Sequence, residues 1–121
     1  MERFYNQSHE WALIDGDEAT VGLSRFATDE IGEIIHVALP QVGDSVQRGE
    51  RLAEIESVKS VNEFYAPIAG TVTAINPDLE QRPELVNQDP LEAGWFVRLR
   101  PAEAEPTAGL LDEASYLASN G

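Results

Sequence analysis

The chain contains no cysteine. Disulfide frameworks, thiolate metal sites and cysteine nucleophiles are therefore excluded, and any sulfur chemistry must come from a group attached to the chain. It also lacks an apolar run long enough to span a bilayer. The opening Met1-Glu2-Arg3-Phe4-Tyr5 has neither the basic-then-apolar layout of a signal peptide nor the Arg- and Ser-rich character of a transit peptide, so a bacterial cytoplasmic protein is expected. Positive charge is scarce, with 8 Lys and Arg against 22 Asp and Glu and a formal net charge of -14. Such a surface repels phosphates, which argues against nucleic acid and anionic membranes. It favours protein partners with basic faces and opposes self-association, so a monomer is expected; the same charge also serves solubility alone.

Lysine is the scarcest of the charged residues: all the basic residues are arginine except Lys59. It sits in Glu56-Ser57-Val58-Lys59-Ser60-Val61, between two strand-like stretches. A single amine at a hairpin tip offers a modifying enzyme one acylation site and no other. The bland alternative is an arginine-biased chain with one surviving surface lysine. A free lysine amine is mostly protonated at neutral pH and is a weak nucleophile unless desolvated. An exposed tip therefore suits an acceptor of a delivered acyl group better than a Schiff-base lysine, and acylation would remove the charge and lengthen the arm.

What is present supports one domain with one core: 121 residues, of which 42% are hydrophobic and 25% charged. Trp11–Asp15 and Glu18–Leu23 read as strands joined by an Asp15-Gly16-Asp17 turn. Ser24 reads as the N-cap of a helix of about two turns stopped by Gly32. Glu33–Ala38, Arg51–Glu56, Val61–Tyr65, Gly70–Asn76 and Gly94–Arg100 read as further strands, and Pro83–Asn87 as one helical turn. Short strands punctuated by Gly, Pro and Asp point to a small sandwich or barrel. Beyond residue 100 a stiff Pro101–Pro106 linker precedes a C-terminal helix, with Asp112 as cap and Leu110, Ala114 and Leu117 as its apolar face. The domain reading is residues 1–100 as the carrier domain and 101–121 as linker and short helix packing on it.

Taken together, Glu56-Ser-Val-Lys59-Ser, the bracketing Gly43 and Gly70, and Ala66-Pro67-Ile-Ala-Gly70 resemble the H protein of the glycine cleavage system. Ser8-His-Glu-Trp11, Gly32-Glu33 before a strand ending in Leu-Pro, Pro83-Glu-Leu-Val-Asn-Gln-Asp-Pro90 and Gly94-Trp95 extend the resemblance over nearly the whole chain. It implies a mainly β fold, the lipoyl-type barrel-sandwich hybrid of two small antiparallel sheets with short flanking helices. It implies lipoic acid in amide linkage to Lys59, and a carrier that is not itself an enzyme. The partners implied are a pyridoxal-phosphate glycine decarboxylase, a tetrahydrofolate-dependent aminomethyltransferase, dihydrolipoamide dehydrogenase, and a lipoyl ligase or transferase. The cargo is the aminomethyl group of glycine. Ser8, Glu10 and Glu63 match positions associated in that family with docking the loaded arm; their mundane readings are a turn cap, a surface charge and one acid among many. A lipoyl or octanoyl relay protein uses the same lysine, and a biotinyl carrier is a more distant alternative, since biotin carriers place methionines beside the lysine.

The resemblance is imperfect at three places. Ser24 stands where threonine is common, His36 where an aromatic is frequent, and Leu91-Glu-Ala where a Tyr-Gly-containing stretch is typical. Other chemistry finds little support. His9 has no accompanying nucleophile or metal-ligand pattern, His36 reads as a packed or edge histidine, and Trp11 and Trp95 read as strand-borne core or interface filler. Glu10 and Glu56 are a conceivable carboxylate pair for hydrolysis, but sequence spacing places them at no particular distance. Asn87-Gln88-Asp89-Pro90 is read as a cap and connection without chemistry.

Overall fold

The computed structural model describes residues 2–120. Among the described residues, ten strands form two antiparallel sheets, and four short helices flank them. The larger sheet contains β1 (Arg3–Tyr5), β2 (Glu10–Asp15), β3 (Glu18–Leu23), β5 (Ser45–Val46), β8 (Gly70–Ile75), β9 (Val97–Pro101) and β10 (Leu111–Asp112), in the order β10-β1-β2-β3-β9-β8-β5. The smaller sheet has the order β4-β6-β7, from β4 (Ile34–Ala38), β6 (Arg51–Ser57) and β7 (Val61–Tyr65). This is the expected mainly β arrangement.

Alternation drives the packing. Leu52, Ile55 and Phe64 of the small sheet are buried against Val21, Val72, Val97 and Leu99 of the large one. Phe64 stacks on Phe96 at 4.5 Å between ring centroids, a cross-sheet contact of about 1 kcal/mol beyond its buried area. A second, smaller cluster lies outside this core: Tyr5, Trp11 and Tyr116 are all buried, with Tyr5 and Tyr116 stacked at 4.2 Å.

The first helix, α1 (Arg25–Ile31), begins as read from sequence. Ser24 is extended and its hydroxyl accepts from Ala27 N at 3.1 Å, while Gly32, at φ 84, closes the helix through its N–H to Thr28 O. Two further single-turn helices are α2 (Asp78–Gln81) and α3 (Leu85–Gln88), the latter on the expected Pro83–Asn87 segment. No sequence pattern announced β1, β5, β10 or α2.

Two expectations are corrected. The last strand of the body begins at Val97, not Gly94, because residues 93–95 are tied elsewhere: Asn76 donates to Ala93 O and Trp95 O, and Gly94 N donates to Asp89 O. Trp95 accordingly lies before the strand, half-buried beneath the Arg98 guanidinium, while Phe96 is the fully buried ring. The C-terminal helix, α4 (Glu113–Asn120), has Asp112 as its cap, accepting from Ser115 N at 2.7 Å. Its buried face is Tyr116, however, and Leu117 is 54% exposed. Pairing of β10 with β1 fixes the helix's rotation and turns Tyr116 onto Tyr5.

Candidate functional site

Strands β6 and β7 pair from Arg51↔Tyr65 to Glu56↔Val61 and leave Val58, Lys59 and Ser60 at the tip. The tip is tight because Ser57 closes it: its N–H donates to Ser60 O at 2.8 Å, and its buried hydroxyl accepts from Ser60 N at 3.1 Å and Lys59 N at 3.3 Å. Small residues thus form the turn without covering the lysine. Lys59 is exposed, and no salt bridge among the described residues engages it.

A cleft of about 400 Å³ lies between α1, the 8–10 segment and the small sheet. Its apolar walls are Leu23, Phe26, Ala27, Ile31 and Ile55. Its polar groups are Ser8, His9, Glu10, Glu30, Asn62 and Glu63. Ser8, Glu10 and Glu63, separated in sequence, are therefore gathered on one surface; Glu30, which sequence reasoning did not single out, joins them from α1. No lysine or arginine lines the cleft. A hollow of about 440 Å³ beside residues 38–54 shares no lining residue with it.

Glu10 is the unusual member. It is 2% exposed, which excludes the surface-charge reading, and its hydrogen-bond donors are all neutral. Ser8 Oγ and Asn6 Nδ2 donate to Oε1, and Tyr65 N donates to Oε2 at 3.3 Å. Burial pushes its carboxyl up to about 6, against the opposing pull of those hydrogen bonds. Glu63 differs: it is exposed and accepts from Tyr65 Oη at 2.9 Å.

His9 forms the wall beside Glu10 in a backbone conformation that non-glycine residues seldom adopt, φ 79. Contacts on every side hold it there. His9 N bonds Asn6 O, His9 O accepts from Ser24 N, and the ring lies 4.7 Å from that of Phe26. Nδ1 meets Tyr116 Oη at 2.6 Å, and the same Oη meets Ser24 Oγ at 2.7 Å, so α4 braces both the cleft wall and the cap of α1. Desolvation lowers the imidazole's proton affinity and outweighs the nearby Glu30. The Tyr116 link had no sequence signal, because it depends on two residues from opposite ends of the chain meeting.

The remaining candidates are dispersed. His36 is exposed on the edge strand β4, opposite Glu56 of β6. Glu56 is exposed and lines no part of the cleft, so it makes no carboxylate pair with Glu10 there. Trp11 is buried, its indole N–H donating to Leu23 O at 2.9 Å. Among the described residues no group of three His, Cys, Asp or Glu is placed to hold a metal, and no helix is long and apolar enough to cross a membrane.

Comparison with known proteins agrees with this arrangement. Residues 3–120 match the family described as Glycine cleavage H-protein. The chain is 46% identical over 115 residues to the glycine cleavage system H protein of Thermus thermophilus, covering 95% of this chain and 90% of that one. It is 51% identical over 117 residues to that of Clavibacter sepedonicus, covering 97% and 93% respectively. The crystal structure of the glycine cleavage system H protein from Mycobacterium marinum is similar at a TM-score of 0.89 and 32% identity, covering 99% of this chain and 97% of that one. A match that runs from the first strand to the last helix shows that the chain belongs to the glycine cleavage H-protein family.

Proposed function

We propose that this chain is the lipoyl-bearing, non-catalytic carrier of a glycine cleavage system, with lipoic acid in amide linkage to Lys59. In this role it takes the aminomethyl group of glycine from a pyridoxal-phosphate decarboxylase to a tetrahydrofolate-dependent aminomethyltransferase. Dihydrolipoamide dehydrogenase and a lipoyl ligase or transferase complete its partners. The residues present fit the group: an exposed amine, free of any salt bridge among the described residues, stands on a closed hairpin, and a cleft lies against the same sheet. The dithiolane supplies the redox-active sulfur that a cysteine-free chain lacks.

The observation that carries the reading is Glu10. A buried carboxylate without a cationic neighbour is costly unless a positive charge arrives to pair with it. A cationic amine entering the cleft would meet Glu10, with Glu30 and Glu63 also along the lining. Pairing would draw the Glu10 carboxyl back down from about 6, so ionisation and binding reinforce each other. Ser8 holds Oε1 in place by donating to it, and His9, kept neutral by burial, adds no opposing positive charge. Phe26, Ile31 and Ile55 form the apolar side that excludes water from the cargo. A relay of lipoyl or octanoyl groups, which are uncharged at the far end, has no use for this anionic cleft.

The test is intact-protein mass after expression with lipoic acid available. A single lipoyl addition is expected, and Lys59→Arg should abolish it; a biotinyl addition, or lipoylation that persists in the variant, overturns the reading. Gene deletion should prevent growth on glycine as nitrogen source while leaving the 2-oxoacid dehydrogenases lipoylated. The reverse pattern would identify a relay.

A further inference from the structure

We propose that the Gly32–Glu33 turn is a seat for the Lys59 side chain, and that Asn87 is the residue that holds the seat in position. The proposal rests on the carrier reading for its purpose and adds a positioning role to residues outside the cleft.

Gly32 has φ 84, and a Cβ built there lies 2.9 Å from Lys59 Cε and 3.4 Å from Nζ. The far end of the lysine stem thus lies against the position a Cβ would take, and a side chain there would displace it. The next residue ties the hairpin to the same turn, since Val58 N donates to Glu33 O at 3.1 Å. Asn87 then clamps the turn on both sides: its Nδ2 donates to Gly32 O at 2.8 Å, and its Oδ1 accepts from Ile34 N at 2.9 Å. A single amide on α3 therefore fixes the backbone that anchors the hairpin tip. Glu30 and Ile31, which immediately precede the seat, line the cleft. A stem resting on Gly32 consequently starts at the cleft's edge, so an arm extended from it needs little reorientation to enter.

Glycine at this position has a second explanation, the positive φ that ends α1. Gly49 separates the two. It has φ 88, and nothing lies within 4 Å of its built Cβ, so Gly49→Ala places a side chain at another positive-φ position without touching the lysine.

The experiment uses the full-length unmodified chain, a lipoate ligase supplied with lipoate and ATP, and thermal unfolding as the control for folding. Gly32→Ala is expected to lower the ligase's kcat/KM about 10-fold, the scale of a misplaced acceptor, whereas Gly49→Ala should stay within about two-fold of wild type, each rate being taken below that variant's own Tm. Asn87→Ala, which leaves Gly32 intact, is expected to slow lipoylation in the same direction and to speed hydrogen exchange at the Val58 amide. Equal effects of the two glycine variants, or no effect of Gly32→Ala, overturn the seat. Nuclear Overhauser contacts between Gly32 Hα and Lys59 Hε in the unmodified wild type should be present, and their absence overturns it as well. If the wild type accepts no lipoate, the carrier reading fails instead, and the Overhauser contacts still decide the seat.

Discussion

The β2–β3 hairpin turns through Gly16 and Asp17 after its last pair, Asp15↔Glu18, and a Cβ built at Gly16 meets nothing within 4 Å. The β6–β7 hairpin is built from the same kind of antiparallel pairing, yet its tip is closed from within by Ser57 and tied from outside by Glu33 O. One tip borders the 100–106 segment across a shallow hollow, with no tie like that of Glu33 O; the other is exposed but held. Under the proposed function, the difference separates exposure, which both tips have, from positioning. What distinguishes Lys59 is a fixed root, a seat beside it and a cleft at the end of that seat.

The sharpest way to break the comparison is to move the lysine. In a Lys59→Arg, Asp17→Lys double variant the only lysine stands on the β2–β3 tip. We expect no lipoyl addition by intact mass, an all-or-none loss; modification at position 17 would mean that any exposed lone lysine suffices.

A smaller effect tests the cleft as a store of unfavourable energy that the β2–β3 tip does not have. Glu10 has a folded-state pKa raised to about 6 from 4.5, so its contribution is most favourable below 4.5 and is lost as pH rises through 6. At pH 8 the ionised carboxylate, with no cation beside it, costs on the order of 2 kcal/mol. Glu10→Gln faces one of the carboxylate's hydrogen-bond donors with an NH2 and loses a hydrogen bond at every pH, so the readout is the pH dependence. The Tm difference should move in the variant's favour by several degrees from pH 4.5 to pH 8 in paired melting curves. Asp17→Asn at the other hairpin should move Tm little, within about 0.5 kcal/mol. A Tm difference that stays constant between pH 4.5 and pH 8 would contradict the assigned strain.

The smallest expected effect concerns the brace. Tyr116→Phe removes one buried hydroxyl shared by His9 and Ser24 and should cost about 1 to 2 kcal/mol. Hydrogen exchange should quicken at residues 8–10 and 24–28 and remain unchanged around Asp15–Glu18. Uniform loss of protection would show that α4 stabilises the whole body and not the site side.

Much of this was legible from residue order. The lysine hairpin, the Ser24-to-Gly32 helix and most strands are marked by local alternation, a capping hydroxyl and punctuating glycines, all of which act over a few residues. The ends of the chain were not legible. Leu110, Ala114 and Leu117 have helical spacing, yet β10 pairing with β1 selected Tyr116 as the buried residue. Asn87 looked like a connector because its two partners, Gly32 O and Ile34 N, lie far away along the chain. The resemblance singled out Glu10, but not its burial, which comes from Tyr65, Ser8 and the second sheet closing around it.

The order of residues by itself determined that one amine would stand on one hairpin in a chain without sulfur nucleophiles, because composition and short-range periodicity require no knowledge of the fold. Only tertiary structure decided that this amine has a glycine seat, an asparagine clamp and an anionic cleft within reach. Those features arise where separate segments exclude water together, and burial, unlike periodicity, is a property that no segment has alone.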